Sequence, residues 1–368
     1  MIYGRPNSAY LKLGEGCRKA FAMGLHQDTQ YAEDTTPHTR EEKRATLWSL
    51  VFLERWVSFW MGRPSCSMSI SIQAPLPSQS PVIYCLANIS SIVEDIGHNI
   101  YGAPLSSAVQ LWESAQQIRV KLQNIEKLSE SVLGYPLDGQ LSGPPLDIGQ
   151  VFVMNFLCHV WMITFRPFLV IMHRWKQSSN AGSRDSTASQ QLPAVLWWLP
   201  EARQLAVNYA HRLVEVFTTA AQLDGLVKGL SFSVSFLESA CGLLYYDAVG
   251  SGQCIDAHLK SLEKANDCFI NMLEKGPVKT VTIMTQRLLR QLQKAKDTDQ
   301  ERNDQPHQYP TIAQSTLGAN QSVSDARANA SSSLEQDQFG LQTDFDPSEF
   351  VWVPDLEDYF TSSLQSFM

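Results

Sequence analysis

Residues 39–64 read Thr39-Arg-Glu-Glu-Lys-Arg-Ala-Thr-Leu-Trp-Ser-Leu-Val-Phe-Leu-Glu-Arg-Trp-Val-Ser-Phe-Trp-Met-Gly-Arg-Pro64. Leu47, Trp48, Val51, Phe52, Trp56, Phe59 and Trp60 recur at steps of three and four, the spacing of a helix. The segment is apolar nearly all round, which predicts a helix at the centre of a bundle. Thr39 stands three residues before Glu42, a capping-box pattern, and Glu41 and Glu42 suit the positive N-terminal end of a helix. Gly62 is placed for the left-handed residue that ends a helix, and Pro64 forbids continuation. Beyond it, Pro75 and Pro77 make Ser65 to Pro77 an extended connection.

Outward from this segment the same period recurs and strand-like alternation is rare. A first helix is predicted over 7–26, with Gly14, Gly16, Ala20 and Ala22 allowing a neighbour to approach closely. Further helices are predicted over 81–100, 104–133, 147–175, 200–222, 228–249, 254–275 and 278–296, separated by stretches rich in Gly, Pro and Ser. Leu111, Ala115, Ile118, Leu122 and Ile125 form a seam on one of them, too short for a coiled coil and suited to a bundle helix. Val151 to Met172 is apolar and long enough to span a bilayer, but Arg166-Pro167 in its second half favours a buried core helix, with no membrane role. The fold class expected is all-α, an irregular multi-helix bundle over 1–296. Residues 297–334 are poor in large apolar side chains and are expected to form a disordered linker.

The last segment, 335–368, holds eight acidic residues and no Lys or Arg, so the rest of the chain carries 29 acidic and 29 basic residues. A neutral body is a poor partner for phosphates, and no self-sufficient DNA-binding surface is expected. The seven cysteines are scattered without a C-x-x-C pair, which reads as reduced thiols rather than structural zinc. No nucleophile elbow, phosphate-binding loop or H-E-x-x-H motif occurs, and Gly14-Glu-Gly16 lacks the third glycine of a dinucleotide fingerprint. The chain reads as a protein that is not an enzyme, with no cofactor of its own.

Several motifs carry a resemblance. Tyr10 to Asp28 contains Gly24-Leu25-His26; Glu41 to Trp48 contains Arg44; Phe52-Leu-Glu54-Arg55 is followed by Gly62-Arg63-Pro64 and by Ile72-Gln-Ala-Pro75-Leu76-Pro77. In this order, over about seventy residues, they resemble the fungal-specific transcription factor domain, the middle regulatory region of binuclear zinc-cluster regulators. Phe165-Arg166-Pro167-Phe168-Leu169 is similar to a second, weaker signature of that family. The resemblance implies transcription regulation in the nucleus. Zinc is implied only for the family's six-cysteine cluster, which would precede residue 1. DNA would then be reached only through that missing region or through a partner, including a homo- or heterodimer.

The resemblance implies that Gly24, Leu25, His26, Arg44, Trp48, Arg55, Gly62, Arg63, Pro64, Pro75 and Pro77 are structural or regulatory positions, and the residues read by themselves favour structure over chemistry. Arg44, Arg55 and Arg63 lie on or just beyond one helix and, where buried, are expected to need carboxylates, with Glu15, Asp28 and Glu54 as candidates. In the tail, Phe350, Trp352, Leu356, Tyr359 and Phe360 lie among the acids. Such acids keep a segment solvated and leave its aromatics available to a transcriptional coactivator, so 335–368 is expected to be an activation segment. The alternative is an interaction protein that titrates a full-length regulator and represses.

Overall fold

The computed structural model describes residues 6–27, 36–68, 70–102, 107–134, 147–182, 196–229, 233–251, 254–272 and 276–304. The helices in chain order are α1 (Pro6–Ala22), α2 (Pro37–Trp60), α3 (Pro81–Ile96), α4 (Ala108–Leu133), α5 (Ile148–Gly182), α6 (Leu199–Leu223), α7 (Ser233–Ser251), α8 (Ile255–Ile270) and α9 (Gly276–Asp304). A π-helical turn, Gly97–Gly102, continues α3. No strand occurs among the described residues, and the all-α class holds. The expected linker beyond 304 and the tail residues Phe350, Trp352, Leu356, Tyr359 and Phe360 lie outside the described residues.

The core is built around α5, which packs against α3, α4, α6 and α7. Phe156, Trp161, Phe165 and Phe168 of α5 are fully buried, and Trp161 stacks on Tyr209 of α6 with ring centroids 4.5 Å apart. Each such side chain contributes about 1.5–3 kcal/mol through burial. The apolar stretch of α5 is long enough to cross a membrane by length and composition, yet 78% of it is buried inside the bundle. The five-residue seam of α4 is buried in the same core.

The centre is therefore α5 and not α2. The reason lies in how α2 divides its apolar residues. Phe52, Trp56 and Val57 face the main core, while Leu47 and Val51 join a second cluster with Ala20 of α1 and Ala74. A helix that serves two clusters reads as apolar all round without being central.

Several boundaries also differ from the sequence reading, among them the start of α2 and the end of α9. The N-cap of α2 is Thr36, not Thr39: the Thr39 N–H donates to Thr36 Oγ1 at 3.3 Å, and Pro37 occupies the first turn. Proline is favoured there because its missing N–H would have had no helical partner. At the other end, α9 runs past 296 to Asp304. Its polar last turns include Gln, Glu and Arg, which are good helix formers, so the change in composition does not break the helix.

Candidate functional site

Both glycine motifs are helix terminators of one kind. After α1, Gly24 takes φ 74°; its N–H donates to Phe21 O at 2.9 Å, and the Leu25 N–H donates to Ala20 O at 3.0 Å. After α2, Gly62 takes φ 60°; its N–H donates to Phe59 O at 3.0 Å, and the Arg63 N–H donates to Ser58 O at 2.8 Å. This paired bonding is the Schellman motif, and the left-handed residue it needs is why glycine stands at 24 and 62. Leu25 then packs into the second cluster beside Trp48.

The connection from 63 to 80 is stitched along α2 by backbone groups and two buried carboxylates. The His26 carbonyl accepts from the Gln73 and Ala74 N–H groups, and Trp48 Nε1 donates to Pro75 O at 3.0 Å. Thus His26 contributes its backbone, while its ring packs edge-on to Phe21. Glu41 accepts from the Ser78 N–H at 2.9 Å, from the Gln79 N–H at 3.3 Å and from Arg44 at 2.9 Å. Burial raises the Glu41 pKa, but these donors outweigh it and hold the carboxyl below its usual range. Pro77, just before Ser78, is buried.

Glu54 is 2% exposed and accepts four hydrogen bonds, from Ser58 Oγ, Ser65 Oγ, Ser67 Oγ and the Cys66 N–H. It therefore anchors the turn after α2 rather than pairing with an arginine. Two of the arginines take other carboxylates, Arg44 meeting Glu41 and Arg55 meeting Glu94 of α3 at 3.0 Å, while Arg63 is exposed and meets none among the described residues. Glu15 instead lies between Lys12 and Lys19 on the surface, and Asp28 lies outside the described residues.

These caps and stitches are the local meaning of the motifs. Residues 1–83 match the fungal specific transcription factor domain. The matched domain thus covers α1, α2 and the stitched connection, and stops in the first turn of α3. Among curated proteins and among solved structures, none matches the chain.

Where the matched stretch meets the rest of the bundle, a cavity of about 440 Å³ opens between α2, α3 and the π-helical turn. Arg55, Gly62, Arg63 and Pro64 all line it. Gly24, Leu25, His26, Trp48 and Pro75 gather instead around the second cluster and its connection, away from the cavity lining.

Tyr101, in the π-helical turn, lines the cavity and explains the second signature. Pro167 has no N–H to donate to the Ile163 carbonyl one turn earlier in α5. Tyr101 Oη donates to that carbonyl at 2.7 Å, and Arg166 donates to Tyr101 Oη at 3.3 Å. Neither Glu94 nor Tyr101 was marked by the motif spacing. Their only sequence signal is a polar residue within or just after an otherwise apolar helix.

Two other clusters carry chemistry-bearing side chains. Cys17, Glu54 and Cys66 bring their ligand atoms within 4.8 Å of one another. Burial pushes the Cys17 thiol up to about 12 and raises Cys66 as well, whereas a metal requires thiolates. With Glu54 already accepting four hydrogen bonds, the set fits a hydrogen-bonded core cluster better than a metal.

The second cluster crosses α6, α7 and α8. Arg203 donates two hydrogen bonds to Asp247, His258 Nε2 lies 2.9 Å from Asp247 Oδ2, and His258 Nδ1 lies 3.0 Å from His211 Nε2. His211 Nδ1 in turn lies 2.7 Å from Ser261 Oγ. Serine, histidine and aspartate in a chain suggest nucleophilic catalysis, but here Arg203 neutralises the carboxylate. The adjoining cavity measures about 10 Å³, no more than a water. Burial holds His211 down to about 4, so its ring is neutral at physiological pH. The network ties three helices together.

Proposed function

We propose that this chain is the regulatory part of a transcription factor acting in the nucleus, and that its acidic tail activates transcription by RNA polymerase II through coactivators. The family match over residues 1–83 carries the regulatory role in general terms. The activating role rests on residues 335–368, where eight acids surround Phe350, Trp352, Leu356, Tyr359 and Phe360. DNA is reached through a region outside this sequence or through a partner chain, since the body is charge-neutral.

The test fuses the full chain to a foreign DNA-binding domain in front of a reporter. Replacing Trp352, Tyr359 and Phe360 by Ala should abolish activation. Replacing Asp355, Glu357 and Asp358 by Asn or Gln should weaken it by degrees, because five acids remain in the segment. Neither set should shift the melting of the helical bundle. An aromatic triple variant that activates like its parent would remove the activating role and leave titration of a full-length regulator as the better reading.

A further inference from the structure

We propose that the cavity between α2, α3 and the π-helical turn binds a small organic anion with an apolar, ring-bearing body. Its volume of about 440 Å³ lies within the range of sites that enclose one metabolite-sized ligand. Phe59, Met68, Val93 and Tyr101 supply apolar and aromatic wall. Part of that wall is the π-helical turn, a geometry frequent at functional sites. The turn opens and closes on glycine: a Cβ at Gly97 would stand 3.4 Å from the Phe59 ring, and one at Gly102 would meet the Gly97 carbonyl at 2.7 Å.

The sign of the ligand follows from the charges at the rim. Glu94 is engaged by Arg55, so those two cancel. Arg63 remains; it is exposed, its guanidinium lies over the Tyr10 ring at 5.2 Å, and among the described residues it meets no carboxylate. An arginine of this kind offers a fork of N–H donors to a carboxylate or sulfonate. An occupant with its rings against Phe59 and Val93 and its anionic group at Arg63 satisfies both halves of the cavity. This site stands on geometry alone; its use as an effector site rests on the regulatory role proposed above, and the test below reads only binding.

The probes are 8-anilinonaphthalene-1-sulfonate and N-phenyl-1-naphthylamine, which share their rings and differ by the sulfonate. With the full chain, the sulfonate should bind one to one and about tenfold or more tighter than the neutral amine. Arg63→Gln should erase that preference, and Arg63→Lys should keep part of it. Met68→Trp, which fills the cavity from its exposed side, should remove binding of both probes without lowering the melting temperature. Three results would overturn the proposal: no one-to-one binding, equal binding of the two probes, or affinities untouched by Arg63→Gln and Met68→Trp. Tighter sulfonate binding by the Trp352, Tyr359, Phe360 triple Ala variant would assign the cavity to the chain's own tail and also overturn it.

Discussion

Trp48 and Trp56 sit about two turns apart on α2, and the same side chain has a different worth at each place. Trp56 is 3% exposed and meets Phe156, His159 and Phe236 at centroid distances of 4.9, 5.4 and 5.3 Å. Trp48 is half-buried in the smaller cluster, with its Nε1 hydrogen bonded to Pro75 O. Trp56→Ala should therefore cost about 3–5 kcal/mol, the range for a fully buried aromatic. Trp48→Ala should cost about 2 kcal/mol, from partial burial and one hydrogen bond. Urea unfolding of both variants checks the order, and a costlier Trp48 would mean the clusters are ranked wrongly. The sequence placed both residues on an apolar helix but could not rank them, because the rank depends on Phe156 and Phe236, which are far away in the chain. Similarly, arginines needing carboxylates were legible, while Glu94 as the partner of Arg55 was not, since two long side chains can reach many positions.

At the scale of elements, the terminator at Gly62 was legible, because a left-handed residue after a helix demands glycine whatever surrounds it, whereas Gly24 was read inside a helix over 7–26 that in fact ends at Ala22. The start of α2 was read three residues late, since Thr36-Pro37 and Thr39 each satisfy a capping rule and only the backbone chooses between them. What no local rule could supply is the bond across 62 residues between Tyr101 and the Ile163 carbonyl left free by Pro167. Removing the hydroxyl with Tyr101→Phe keeps the ring and leaves that carbonyl without its donor, at a cost of about 1–2 kcal/mol. In a Pro167→Ala background residue 167 can donate to Ile163 O itself, so the same change should cost less. A double-mutant cycle measures the difference; strictly additive effects would mean that the hydroxyl does not serve the proline site.

For the whole molecule, burial of histidines adds to the response to acid that the hydrogen-bonded carboxylates Glu41 and Asp247 also give. His159 is fully buried between Trp56 and Phe236, and burial, reinforced by Arg166, holds its pKa down to about 3. His211 is held down to about 4. In the unfolded chain both bind a proton near pH 6.5, so the unfolded state binds more protons below that pH. Their contribution is complete above pH 6.5 and is lost as pH falls toward 4. Glu238 opposes them, because burial raises it to about 7 and the folded state gains its proton first. His159→Phe keeps an aromatic ring and removes one titration. Its stability should fall less steeply than wild type from pH 6.5 to 4, by about 1.4 kcal/mol per pH unit. Parallel curves would mean that His159 titrates alike in both states. The all-helical architecture was legible across the chain because periodicity is local. The central place of α5 was not, because it depends on which helix has neighbours on every side.

The family match ends at residue 83, but the packing does not. Trp56 inserts into rings of α5 and α7, Arg55 closes on Glu94, and the cavity takes its far wall from the turn ending at Gly102. The matched stretch is thus a portable stretch of sequence and not a portable module. A chimera joined at residue 83 would carry across every terminator and stitch described above. It would also arrive with an unpaired guanidinium, an uncovered indole and half a cavity. The recipient would have to provide counterparts of Glu94, Tyr101 and Phe156 before the graft could behave as it does in its own chain.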